Sequence, residues 1–152
     1  GIMSYQSLKY NITANKGIDF TLYLRYLDEN DSVVDLVGGG YTAEMQVRRF
    51  AESDTKLLQF ISTNGGASVF GPSGVTAGLS GGSGGIRLNS TFTGGINDGM
   101  SGSTGGIYIF ADASTMTNVP TGRHFYEVDI IQGSNILRLI EGRFEVIGNI
   151  NR

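Results

Sequence analysis

Cysteine is absent from this 152-residue chain, and so is tryptophan. Without thiols there are no disulfide staples, no thiolate metal sites and no cysteine nucleophile, so stability rests on burial and strand pairing. Charge is sparse. Asp, Glu, Lys and Arg make up 16% of the residues and the formal net charge is −3. Arg48-Arg49 is the densest basic spot, too small for a phosphate footprint, so neither nucleic acid nor an anionic membrane is an expected partner. No apolar run approaches the ~20 residues that span a bilayer, and no segment has the pattern of a secretory signal. The expectation is a soluble, non-secreted, single-domain product long enough for a proper core.

What is present is alternation. Ile18, Phe20, Leu22, Leu24 and Tyr26 alternate with Asp19, Thr21, Tyr23 and Arg25, the period of a strand with one face on a core. Asp28 to Ser32 supplies turn residues, Val33 to Leu36 runs briefly extended, and Gly38-Gly39-Gly40 leads into a second alternating stretch, Tyr41 to Arg48. Tyr5 to Thr13 and Lys56 to Ile61 are further strand candidates. His124 to Ile131, the hairpin loop Gln132 to Asn135, and Ile136 to Ile147 with a kink or bulge at Glu141-Gly142 complete the series. One helical turn, capped by Asp112 or Ser114, fits Ala111 to Gly122. Strands separated by turn signals every 8–12 residues or so argue an all-β sandwich or barrel.

Glycine is the excess. It supplies 24 residues, and 15 of them fall between Gly65 and Gly106, where only Arg87 and Asp98 are charged. Short apolar pieces recur there after glycine pairs: Ile86-Arg87-Leu88, Ile96 and Ile107 to Phe110. The strand pattern looks complete without residues 65–106, so the expectation is an inserted β-arm or loop that lies against neighbouring subunits. Its apolar residues Ile86, Leu88, Phe92 and Ile96, with Ile107 and Tyr108 directly after it, are the expected partner contacts, adding to a neighbour's sheet edge. Ordering such an arm costs roughly 1–2 kcal/mol per residue, which assembly must offset.

Chemistry is harder to find. His124 is the only histidine and sits in a strand of core candidates, which reads as structural. No Gly-x-Ser-x-Gly nucleophile elbow is present. Asp28, Asn30 and Ser32 have the alternate oxygen spacing of a calcium loop, but Val33 and Gly39 stand where that loop needs Gly and Glu, so the stretch reads as a polar turn. Asp19, Glu127, Asp129 and Glu145 fall on polar strand faces, where solvated charge is the default. Gly81 to Gly85 lacks the consecutive Lys-Ser/Thr of a phosphate loop and precedes no expected helix. No catalytic residue, cofactor or metal is expected, and no small-molecule substrate.

The order of motifs resembles a family. Gly17 to Leu22, a polar turn, Val34-Asp35-Leu36, glycine and Tyr41 to Arg48 resemble the opening of many tailed-phage virion proteins, typified by the N-terminal domain of the baseplate upper protein and by tail-fibre adaptor domains. Pro120 to Ile130 and Leu137 to Val146 are similar to its closing strands. The resemblance covers roughly residues 10–62 and 107–152. It implies an immunoglobulin-like antiparallel β-sandwich, used for attachment in a virion assembled in the host cytoplasm. The partners it implies are other virion proteins and further copies of the chain in a symmetric oligomer. Gly38-Gly39-Gly40 widens a junction that usually has one glycine, residues 65–106 have no counterpart, and no receptor-binding domain is expected to follow the sandwich. Two alternatives are a capsid decoration or cement protein and a carbohydrate-binding β-sandwich, the latter requiring an exposed aromatic platform.

Overall fold

The computed structural model describes residues 8–63, 66–72, 79–90 and 105–148. In chain order the elements are β1 (Leu8–Lys9), β2 (Ile12–Asn15), β3 (Phe20–Arg25), β4 (Tyr41–Arg48), β5 (Lys56–Thr63) and β6 (Gly66–Pro72). They continue with β7 (Leu79–Gly81), β8 (Gly84–Leu88), β9 (Gly106–Ala111), the single turn α1 (Ala113–Met116), β10 (Gly122–Gln132) and β11 (Asn135–Ile147). Period-2 alternation sets the faces. Ala43, Met45 and Val47 of β4, and His124, Tyr126, Val128 and Ile130 of β10, are buried, while the residues between them form the opposite face of the sheet.

Two sheets result. The larger runs β11-β10-β4-β5-β6-β7 in antiparallel pairs, with β1 and β2 lying in succession parallel to the free edge of β11. The smaller is β3-β9-β8. The run β11-β10-β4-β5-β6 opposite β3-β9-β8 is the G-F-C-C′-C″ and B-E-D arrangement of a variable-type immunoglobulin sandwich. The fold is therefore the immunoglobulin-like antiparallel β-sandwich that the resemblance implied. With neither cysteine nor tryptophan available, aromatic contacts join the sheets. Phe20 of the small sheet meets Phe60 at 5.9 Å and Phe144 at 5.3 Å between ring centroids, and within the large sheet Tyr126 backs Phe144 at 6.3 Å. Edge-on aromatic pairs add about 0.5–1.5 kcal/mol beyond the area they bury.

The glycine-rich stretch is placed differently from the expectation. Its described strands are not an arm outside a finished sandwich: β6 extends the large sheet, β8 is one third of the small one, and Val69, Ile86 and Leu88 belong to the core. A variable-type sandwich needs those two strands, and glycine brings them together. A Cβ on Gly85, which has φ 138°, would lie 2.2 Å from the Ser68 nitrogen, so any side chain there would force β8 away from β6. The bulge in the last hairpin also moves. The register shifts opposite Val128/Asp129, leaving Leu139 as the extra residue, while Gly142 stays in register with Tyr126. The bulge lets consecutive residues Leu139 and Ile140 both point inward, which regular alternation forbids. The helical turn forms with Asp112 as its N-cap.

Candidate functional site

Two connections meet at one end of the sandwich: the strap of residues 26–40 between β3 and β4, and the turn Gly133–Ser134 between β10 and β11. Gln132 Nε2 donates to the Gly39 carbonyl at 2.8 Å and ties one to the other. In variable-type sandwiches these B–C and F–G loops share the recognition end.

The strap is held from within. Asp28 Oδ1 accepts from the N–H groups of Asn30 (2.8 Å) and Ser32 (3.0 Å), and Asp31 takes φ 62° to close the turn. Asp28 is thus engaged by its own backbone, as a polar turn requires, and Leu27 pairs back to Val33. Further on, Leu36 is fully buried and plugs the strap into the core. Its N–H donates to Asn89 Oδ1 at 3.0 Å, and Asn89 Nδ2 donates to Asp35 Oδ1 at 3.0 Å. Asp35 also accepts from the Gly38 N–H at 2.8 Å. The Gly38 bond, then the Asn89 bond, hold the Asp35 carboxyl below the usual carboxylate range.

A braced strap can keep apolar side chains in water. Leu27, Val33 and Val37 are 40%, 47% and 39% exposed, and Ile136, just past the neighbouring turn, is 68% exposed. Asp28, Glu29 and Asp31 are exposed beside them. Exposed apolar residues bordered by charge have the composition of a contact surface.

The expected partner contacts lie elsewhere. Ile86, Leu88 and Ile107 are core residues that fill the sandwich, and Tyr108, 6% exposed, is covered on the other face of the small sheet between Tyr23 and Phe110, so none of these four side chains is open to a neighbour. The reason is that β9 is the central strand of the small sheet and β8, its edge strand, packs against β5 and β6 of the large sheet, so neither belongs to an arm. Phe92 and Ile96 lie outside the described residues. Tyr23, Tyr108 and Phe110 do stack on that sheet, at 4.6 and 4.9 Å, but Tyr108 and Phe110 are buried and offer no open platform.

The other sequence candidates resolve as follows. His124 is 3% exposed with Nε2 2.7 Å from the Pro120 carbonyl, a structural role that pins the entry to β10. Glu127 and Asp129 share Arg138, at 2.7 and 3.2 Å, with Glu141 at 3.3 Å and Lys9 bonded to Glu141 in turn. They are part of a charge lattice on the outer face of the large sheet, not singly solvated groups. Glu44 continues the lattice, accepting from Gln46 and Gln59 at 2.6 and 2.7 Å. Glu145 lies 3.9 Å from both Arg123 and Arg143. Among the described residues no cluster of His, Asp and Glu is arranged to hold a metal ion.

Sequence reasoning missed Asn89. The only signal was an asparagine directly after an apolar strand piece, a residue type that tolerates the left-handed φ of 61° found there. No family model matches the chain, and no curated protein matches it. One solved structure, from photo-crosslinking work on multimeric cell-adhesive interactions of VGSC beta subunits, aligns over 97% of this chain and 98% of its own at 13% identity. Its TM-score is 0.38, a likeness that carries no argument, and the fold assignment rests on strand order.

Proposed function

We propose that this chain is a non-enzymatic structural protein of a tailed-phage virion, a tail, baseplate or fibre-attachment component acting through subunit contacts. Its partners are other virion proteins and further copies of itself in a symmetric assembly. The observation that carries this reading is the braced strap, which presents Leu27, Val33 and Val37 to solvent on backbone fixed by Asp28, Asp35 and Asn89. A contact surface ordered before docking loses little entropy on binding. The virion setting comes from the motif order across residues 10–62 and 107–152.

Light scattering on the purified chain, with Val33→Asp and Val37→Asp together as the variant, tests the reading. The wild type is expected as a symmetric oligomer such as a trimer or hexamer. The variant is expected as a monomer with unchanged circular dichroism, and phage carrying it are expected to lose the subunit from the particle. A wild-type monomer, with particles that incorporate the variant as well as the wild type, overturns the proposal.

A further inference from the structure

The strap marks one end of the sandwich, and the opposite end has a matching make-up. Strand register defines that far end. β4 starts opposite Gln132 at the strap and finishes with Arg48 near Phe125, while Gly122 pairs with Val146 and Asn15 with Ile147. The ends of β2, β11 and β4 and the start of β10 are therefore neighbours, spread over three strand spacings or about 15 Å. Three apolar side chains project into water there: Ile18, Phe50 and Ile147 are 56%, 63% and 42% exposed.

Like the strap, this end is braced before any partner arrives. The Lys16 N–H donates to the Ile147 carbonyl at 2.9 Å, and the Ile18 N–H closes the β2–β3 turn on the Asn15 carbonyl at 3.2 Å. In the β4–β5 turn the Ser53 N–H donates to the Phe50 carbonyl at 3.0 Å, and Arg48 Nη1 donates to the Ser53 carbonyl at 2.9 Å. Both ends thus hold apolar side chains in solvent on fixed backbone, which keeps the entropic cost of docking low.

Charge decides how two such ends can meet. The strap, residues 26–40, carries Asp28, Glu29, Asp31 and Asp35, and neither it nor the Gly133–Ser134 turn holds a lysine or arginine. Strap against strap would set four carboxylates against four, and like charges across an interface oppose association. The far end is mixed in sign. Asp19, Glu52 and Asp54 lie there with Lys16, Arg49 and Arg123, of which Arg49 and Arg123 are exposed. Strap against far end therefore sets apolar side chains on apolar side chains and gives the strap carboxylates cations to face.

We propose that the strap end of one copy docks on the far end of the next, a heterologous contact between copies of this chain. The inference rests on the reading of the strap as a subunit contact, and it adds the partner surface and the polarity. A contact between identical patches stops at a dimer. A heterologous one continues, into a ring where the rotation closes and into a filament where it does not.

Light scattering of the full chain tests this with two variants: Val33→Asp with Val37→Asp at the strap, and Ile18→Asp with Phe50→Asp at the far end. All four positions are exposed, and circular dichroism checks that each variant is folded. Phe50→Asp alone, in its exposed turn, serves if the far-end pair loses that signal. The wild type is expected to assemble beyond a dimer and each variant alone to be a monomer. A one-to-one mixture of the variants is expected to reach a dimer and stop, because each supplies one intact end. If the far-end variant assembles as the wild type does, this inference falls and the strap reading stands. If the strap variant assembles as the wild type does, or the wild type is a monomer, both fall. A wild type that stops at a dimer, or a mixture that stays monomeric, overturns the heterologous contact alone.

Discussion

Asn89 and Asp35, 54 residues apart in the chain, are joined side chain to side chain at 3.0 Å, and the same asparagine accepts the Leu36 N–H. Asn89 is fully buried and sits at the left-handed φ of 61°. One residue therefore couples the end of β8 to the strap that carries the exposed apolar contacts. The bond reaches from the glycine-rich stretch into the end of the sandwich where the β3–β4 strap and the β10–β11 turn meet.

Asn89→Ala removes both side-chain bonds and leaves a β-carbon in a left-handed conformation. Each buried hydrogen bond contributes about 1 kcal/mol and the strain adds about 1 kcal/mol or more, so a loss of roughly 2–4 kcal/mol is expected in urea unfolding. Amide exchange at Leu36 and Gly38 should rise with it. An unchanged midpoint with unchanged exchange would mean that Leu36 burial alone holds the strap.

Much of this architecture was legible before any coordinates. Strands whose one face is apolar, such as Tyr41–Arg48 and Gly122–Gln132, announce themselves because period 2 puts every second residue in the core. The strand pair β6 and β8 was misplaced for a physical reason. Val69, Ile86 and Leu88 are buried because the two strands approach closely at Gly85, and glycine has no side chain to contribute to an apolar pattern. Asn89 was silent for a related cause: a buried amide is polar in sequence and becomes a core residue only through partners far away in the chain.

The glycine-rich stretch yields a sharper test. Deleting residues 65–106 removes Val69, Ile86 and Leu88 from the core and one strand from the small sheet, so the product is expected not to fold. Gly85→Ala is the milder probe. It sets a methyl against the Ser68 backbone at a φ of 138°, and overpacking of that kind costs about 1–3 kcal/mol before strain is added. Circular dichroism and thermal unfolding check both, and a folded deletion product would restore the picture of a dispensable arm.

Tyr126 is fully buried, and its hydroxyl donates to the Tyr10 carbonyl at 2.7 Å, fastening the irregular link between β1 and β2 to the large sheet. Burial pushes the phenol far above its ordinary range, so the group stays protonated as a donor. Tyr126→Phe keeps the ring contact with Phe144 and removes only the bond. A loss of about 1–2 kcal/mol is expected, with increased exchange confined to residues 8–15. Loss of the whole fold would show that the hydroxyl does more than anchor that edge.

Glu127 and Glu141 stand opposite one another in the β10–β11 register yet are shifted in opposite senses. Burial first, then the charge of Asp129, raises Glu127. The bond from Lys9, with help from Arg138, lowers Glu141. For Glu127 the folded chain holds the proton more tightly than the unfolded one. Stability therefore falls as pH rises from the unfolded value of about 4.3 through the folded value, and the penalty persists at neutral pH. For Glu141 the sign reverses: its contribution is complete above the unfolded value and is lost as pH falls through the folded one. Glu127→Gln is thus expected to be as stable as the wild type or more so at pH 7, with that margin shrinking toward pH 4. Arg138 keeps Asp129 and Glu141 as partners in this variant. Glu141→Gln is expected to be less stable at pH 7, with the difference vanishing in acid. Urea midpoints across that pH range separate the two. If Glu127→Gln is the less stable at neutral pH, the 2.7 Å bond to Arg138 outweighs the burial of the carboxylate, and the lattice on this face is a net stabiliser of the sheet.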